Sequence, residues 1–481
     1  MDDLHDGGIE APLYIRIADE LAGRIASGQL AVGERVPSVR TLAQQKRLSP
    51  TTALAALRHL EQRGDIEARP QSGYYVRQRP QALPAPDMSR TARRPRYVAV
   101  NELFARLIHA SARADIVPLG SAVPEHDWYP AQTLQRALSA AVRRRPQWMT
   151  EYGHYFGVDA LRHEIARMYA GMGCSIDPDE VLITNGCMEA LNLALRAIAA
   201  PGDVIAVESP TFFGFLQIIE NLGMKAVEIA TDPHEGISLD ALRGVLERDG
   251  TPVRALLLSP TVGNPLGTTM PEARQRELLA LCARHQVEII EDDVYGDLHF
   301  GSARPPPLKA LDTQGIVTLC ASFSKTLAPG MRIGWILGGA RTDALRLDKF
   351  VSSVATPAML QQSVADFLQQ RAYLRHLSGL RRACRQQIDR FSDAVERHFP
   401  AGTRLSRPQG GFVLWLELPP PCDSLALHDR ALEHGISFAP GPLFSSSGQY
   451  RNALRLNCGR ELSHTVEAAL RTLGGLAKHM I

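Results

Sequence analysis

Beyond residue 98 the chain repeats one pattern, a short, mainly apolar run followed by a helical stretch. The runs fall at 181–183, 204–207, 226–229, 255–258, 288–290, 316–319 and 334–337, and are mostly Val, Ile, Leu and Ala. Runs this short, without polar alternation, predict strands buried on both faces, so the pattern calls for an α/β fold whose mostly parallel sheet is covered by helices. In such sheets ligands bind outside the carboxyl ends of the strands, and chemistry is expected in the residues directly after each run.

After 181–183 stand Thr184, Asn185, Gly186, Cys187 and Met188, leading into a helical pattern. Free amides at a helix start, with a glycine that lets an anion approach, make a phosphate cradle, although such a junction is more often a tight turn. After 204–207 comes Glu208-Ser209-Pro210-Thr211-Phe212-Phe213, an aromatic face whose ordinary use is core packing. After 255–258 comes a turn carrying Asn264, and after 288–290 come Glu291, Asp292, Asp293 and Tyr295.

The stretch from Ser322 to Trp335 decides the chemistry. Six lysines stand against forty-seven arginines in the whole chain, so a chemically necessary lysine has few candidates. Lys325 alone has suitable company, with Ser322 and Ser324 before it and Arg332 seven residues on, where the guanidinium could share an anion with the hydroxyls. An amine, a phosphate cradle, a stacking ring and a carboxylate are the parts that pyridoxal 5'-phosphate (PLP) requires. Near the end, Arg455 lies inside a strand pattern, where a buried cation needs an anion and an internal salt bridge is the ordinary answer.

The first part of the chain differs in charge. Residues 11–96 carry fifteen Lys/Arg against seven Asp/Glu, while the rest is nearly balanced. Such a surplus suits binding to phosphates, and equally a solvated face. Ile15, Ala18, Leu21, Ala22 and Ile25 recur at helical spacing, Ser38 can cap a second helix, and Ser49-Pro50 opens a third with Ala53, Ala56, Leu57 and Leu60 on one face. Two short strands around Ser72-Gly73 then form a wing. Residues 77–96, with four prolines and six arginines, read as an extended linker.

Composition sets the outer limits. With 45% of 481 residues apolar and 22% charged, most of the chain can bury a core. The seven cysteines are scattered with no C-x-x-C pair, which argues against a disulfide framework or zinc ribbon and for a reducing cytoplasm. No apolar run approaches the ~18 residues of a membrane span, and the acidic start lacks the form of a signal peptide. A soluble cytoplasmic protein with no membrane partner and no metal is expected.

The segments G-E-R-V-P-S-V-R-T-L-A (33–43), S-P-T-T (49–52) and H-L-E-Q-R-G-D-I (59–66), with Ser72-Gly73, resemble the winged helix-turn-helix of the GntR family. That resemblance implies contacts with double-stranded operator DNA at Arg35, Ser38, Arg40, Thr51, Thr52, Arg69 and Gly73. From about residue 115 onward the chain resembles fold-type I, class I/II aminotransferases, and both parts together resemble MocR-type regulators, a GntR subfamily. The implied domains are 1–78 for DNA binding, 79–114 as linker and 115–481 for PLP, with a small α+β subdomain over roughly 372–481.

By the same resemblance Lys325 is the Schiff-base lysine, Asp292 faces the pyridine nitrogen, and Asn264 and Tyr295 bond the phenolate oxygen. Phe212 stacks on the ring, while Gly186, Cys187, Met188, Ser322, Ser324 and Arg332 hold the phosphate. Arg455, with Asn264, receives the carboxylate of an amino acid. Tyr152 matches a tyrosine that reaches the neighbouring subunit's phosphate, implying a homodimer. Cys187 and Met188 replace a polar pair, Leu266 a threonine and Phe212 a tyrosine, which weakens side-chain bonding to the phosphate. The implied function is a PLP-dependent transcriptional regulator sensing an amino acid or a B6 vitamer, the alternative being a working aminotransferase with an accessory DNA-binding domain.

Overall fold

A computed structural model describes residues 12–62, 65–69, 72–77, 83–91, 94–111, 115–248, 252–370 and 372–481. The chain divides into two compact units, Met1–Ala82 and Leu83–Ile481.

In the first unit the helices are Leu13–Ala26, Val39–Lys46 and Pro50–Gln62. Ala18 and Leu21 of the first helix meet Ala53, Ala56, Leu57 and Leu60 of the third in one core, which Ile66 and Val76 of the hairpin complete. The hairpin pairs Ile66–Arg69 antiparallel to Gly73–Val76, with Arg69 opposite Gly73. Its turn residues Pro70 and Gln71 lie outside the described residues.

The second unit is built on a sheet of nine strands. The order across it is Arg96–Tyr97, Lys225–Asp232, Val204–Ser209, Val253–Leu258, Glu288–Asp292, Val317–Ser322, Gly334–Leu337 and Val181–Thr184, with Gly236–Ile237 paired to Lys225–Asp232. Five neighbouring strands run parallel, and Gly334–Leu337 runs antiparallel to both its neighbours. Alternate residues of one strand serve different cores: Ile205, Val207, Ala255 and Leu257 join one cluster, while Val204, Ala206, Leu256 and Leu258 join another. Helices cover both faces, which is why these strands show no polar alternation.

The long helix Ala372–His398 leads into an antiparallel sheet ordered Arg404–Leu405, Val413–Glu417, Ala453–Asn457, Ala439–Pro440. This subdomain also takes in Val117–Pro118, which pairs with Ile436–Ser437, and Leu119, which enters its core. Much of the stretch read as linker belongs to this unit. Leu405 N–H donates to Pro84 O (3.0 Å), Arg404 bonds Ala85 O and Asp87, and Ser89 exchanges two bonds with Thr231. Prolines cannot continue a periodic element, but their carbonyls still accept, so a non-periodic segment is fixed all the same. Asn101–Ser111 is a helix, held at its start by Glu220, which accepts from the amides of Val100 and Asn101.

All seven cysteines are free. Among the described residues no helix is long and apolar enough to cross a membrane, and no group of three or more His, Cys, Asp and Glu side chains could hold a metal ion.

Candidate functional site

Lys325 lies three residues past the strand Val317–Ser322, and its Nζ donates to Ala122 O at 2.7 Å. Burial of the amine, helped by the nearby Arg455 cation and opposed by Asp292, brings its pKa down to about 8. Reaction with a small aromatic aldehyde, quenched with borohydride and read at the Lys325 peptide, should therefore be half-maximal near pH 8 and then level off. A rate still climbing tenfold per unit above about pH 9 would show an ordinary lysine.

Asp292 closes the strand Glu288–Asp292 and is buried, which pushes its carboxyl up to about 7. Its Oδ1 accepts from Val294 N–H at 3.1 Å and from the Cys187 thiol at 3.5 Å. Tyr295 is buried against Phe412, and its hydroxyl has no hydrogen-bond partner among the described residues. Burial raises its pKa, with the Arg455 cation opposing.

Arg455 sits in the strand Ala453–Asn457 and is 0% exposed. Its Nη1 donates to Asn264 Oδ1 at 3.1 Å and its Nη2 to Gly120 O, while the guanidinium lies 5.6 and 5.2 Å from the ring centres of Phe213 and Phe444. Among the described residues no carboxylate pairs with it, so the internal salt bridge is not what holds it there. Burial lowers even this guanidinium to about 10, and its Nε has no partner among the described residues.

Gly186 precedes the helix Cys187–Ile198 at φ 86°, ψ 174°. The positive φ calls for glycine, and the Arg332 guanidinium lies over it, its Nη2 2.5 Å from where a Cβ would sit. Arg332 itself has φ 53° and donates from Nη2 to Asn185 O at 2.8 Å. A bulky residue held in the left-handed region costs about 1 kcal/mol or more, which a role at the helix start would explain. Ser322 and Ser324 are buried beside Lys325, with Ser324 N–H donating to Ser322 Oγ at 3.4 Å.

The structure thus gathers Lys325, Asp292, Tyr295, Asn264, Arg455, Gly186, Cys187, Ser322, Ser324 and Arg332 around the carboxyl ends of the strands. Phe212 opens the helix Phe213–Asn221, its ring 5.0 and 5.5 Å from those of Phe213 and Phe215. Met188 is partly exposed, and Tyr152 stands out at 81% exposure. Sequence reasoning missed the carbonyls of Ala122 and Gly120, the ring of Phe444, and Tyr129, whose hydroxyl donates to Ser324 O at 3.2 Å. It also gave no role to Glu208, half-buried near the end of Val204–Ser209, whose carboxyl desolvation pushes up to about 7 and which accepts Ser259 N–H at 2.9 Å.

In the first unit Arg40, Arg47 and Thr51 are exposed. Two hydroxyls read as DNA contacts are already engaged as caps or by caps: Ser38 Oγ accepts from Thr41 N–H, and Thr52 Oγ1 lies 2.8 Å from Ser49 Oγ, which accepts Thr52 N–H. Arg69 lies over the Tyr75 ring and bonds Glu67, and Arg35 packs 3.3 Å from where a Gly73 Cβ would sit. Gly73 has φ 106°, so this wing turn requires glycine. Arg40→Ala is expected to weaken duplex binding by the full-length protein on every sequence and to reduce the log–log salt slope by about 1. An unchanged slope would remove Arg40 from the phosphate contacts.

The family model for class I and II aminotransferases matches residues 114–472, and that for bacterial regulatory proteins of the gntR family matches residues 13–76. The uncharacterized HTH-type transcriptional regulator YjiR of Escherichia coli (strain K12) is 38% identical over 461 residues, 96% of this chain and 98% of its own length. The 2-aminoadipate transaminase of Thermus thermophilus is 30% identical over 382 residues, 78% of this chain and 93% of its own. Among solved structures, the α-aminoadipate aminotransferase LysN of Thermus thermophilus, complexed with N-(5'-phosphopyridoxyl)-L-leucine, is similar with a TM-score of 0.72 at 28% identity, covering 80% of this chain and 99% of that one. The chain belongs to the class I and II aminotransferase family, and it carries ahead of that domain a DNA-binding domain of the gntR regulatory family.

Proposed function

We propose that the chain is a transcriptional regulator whose winged helix binds operator DNA and whose large domain binds PLP on Lys325 and responds to an amino acid or a B6 vitamer. Relatives similar over nearly the whole length carry the name of transcriptional regulators, and relatives of the large domain alone that of transaminases. The observation that carries the cofactor reading is the setting of Lys325, an amine brought down to about 8 in a site shared with Asp292, Tyr295 and Arg455.

The residues present fit the cofactor. The Tyr295 hydroxyl is buried without a partner among the described residues, and the Gly186 junction offers helix amides beside Arg332 in a space that a side chain would fill. The amides of Gly186, Cys187 and Met188, the hydroxyls of Ser322 and Ser324, and Arg332 would hold the phosphate. Asp292 would face the ring nitrogen, Asn264 and Tyr295 the phenolate oxygen, and Phe212 the ring. When bound, PLP supplies an aldehyde that exchanges amines and a ring that withdraws electrons.

Lys325, once free as an amine, can accept and return a proton near neutral pH, because burial has brought its pKa toward that range. Arg455 spends its guanidinium on two neutral oxygens, and a carboxylate offers it a stronger, bidentate partner. Tyr152, exposed on one protomer, would reach the neighbouring phosphate in a homodimer. A ligand that prefers one of two dimer states shifts their populations, and states that differ in operator affinity turn that shift into regulation.

The test is a titration of the purified full-length protein with PLP, then with a panel of amino acids, followed by absorbance and by binding to DNA upstream of its own gene. A change in DNA affinity with PLP or an amino acid is expected, and equal affinity under every condition would overturn the reading. A second reading, transamination as the main activity, is favoured by the placement of Lys325, Asp292 and Arg455 together. It predicts 2-oxo acid-dependent product formation with multiple turnovers.

A further inference from the structure

The side chain of Cys187 has no part in the phosphate reading, which uses only its amide. In the fold its thiol lies 3.5 Å from Asp292 Oδ1, although the two residues are 105 apart in sequence. Cys187 follows the edge strand Val181–Thr184, whereas Asp292 ends the strand Glu288–Asp292, with Val317–Ser322 and Gly334–Leu337 between them in the sheet. Val294 N–H donates to the same Oδ1 at 3.1 Å. Two donors, one from its own segment and one from the start of the helix Cys187–Ile198, therefore hold the same oxygen of the carboxylate.

We infer that Cys187 is a positioning residue for Asp292: its thiol orients the carboxylate and stabilises the ionised form, and so sets how strongly this group binds a proton on the pyridine nitrogen. The inference rests on the reading of the site as a PLP site. A thiol can fill this role only as S–H. Burial and the carboxylate of Asp292 hold its pKa well above the ordinary range, so it remains a neutral donor and not a nucleophile. The groups that act on Asp292 come from several elements. Asp293, on the same segment, favours its protonated form, while Val294 N–H, the Cys187 thiol and the Lys325 ammonium favour the carboxylate. Glu208, Tyr295 and Cys320, each with its own pKa raised, also face it. The thiol is a donor that a single substitution can remove without changing charge.

The experiment uses full-length protein loaded with PLP, and reads the pH midpoint of the visible absorption in wild type, Cys187→Ala and Cys187→Ser. Without the thiol the carboxylate is more basic and draws the ring proton toward itself. The ring then withdraws fewer electrons from the Lys325 nitrogen, which keeps its proton to higher pH. The expected result is an upward shift of about 0.5 to 1 unit in Cys187→Ala and a midpoint near wild type in Cys187→Ser, whose hydroxyl restores a donor. An unshifted Cys187→Ala, or equal shifts in both variants, would show that the thiol only packs, and would overturn the inference while leaving the cofactor reading intact. Absence of any visible band in wild type would instead remove the cofactor reading, and this inference with it.

Discussion

Lys325→Ala is expected to lose all visible absorption on incubation with PLP and to release the cofactor on gel filtration. The fold should survive. Among the described residues Lys325 makes one hydrogen bond, to Ala122 O, and its burial disfavours the charged form, so removing it costs one modest bond and relieves some desolvation. The change in stability should stay within about 1 kcal/mol.

Lys349 provides the contrast, because it is also buried. Its Nζ bonds Glu189 at 2.8 Å, Ser353 at 2.7 Å and Thr356 at 3.3 Å, with the side chain 0% exposed. Truncating it strands a carboxylate that is 18% exposed, at a cost of about 3 kcal/mol, yet the visible band should remain. Thermal melts and spectra of both variants separate a chemical lysine from a structural one. A band that persists in Lys325→Ala contradicts the assignment.

Arg455→Met should show the second large effect. The PLP band should be kept, while any spectral or DNA-binding response to amino acids should weaken by about a hundredfold or more, since two charge-assisted bonds of ~1.5 kcal/mol each are lost. Stability should move little. The cation is fully buried with no carboxylate partner among the described residues, so removing it relieves desolvation, whereas Asn264 Oδ1 and Gly120 O lose a donor each. Isothermal titration of the PLP-loaded variant with the active amino acid checks the first part and a thermal melt the second. An unchanged amino-acid affinity would place the carboxylate elsewhere.

The strands of the large domain are legible because each carries a buried apolar run without polar alternation, as at 204–207 and 255–258. The same property hid the antiparallel direction of Gly334–Leu337, since a run without alternation carries no sign of orientation. Val117–Pro118 is two residues long, too short for any period, and the segment from Leu83 to Ser89 is fixed by the carbonyls of Pro84 and Ala85 and by the single side chains of Asp87 and Ser89, which form no periodic pattern.

Within the site, the residues that announce chemistry by type, such as Lys325, Asp292 and Arg455, could be found from their place after or within strands. Ala122 and Gly120 contribute only carbonyls, and any residue type has one. The contact of Cys187 with Asp292 depends on the strand order of the sheet, which sequence spacing does not contain. In the winged domain the hydroxyls of Ser38 and Thr52 carry two readings, cap partner and DNA contact, and the helix starts beside them explain the first.

The most direct measurement is the mapping of PLP on the intact protein after borohydride reduction and peptide mass spectrometry. One adduct per chain, on Lys325, is the predicted result. An adduct spread over Lys46, Lys225, Lys309 and Lys478, or none at all, would contradict it.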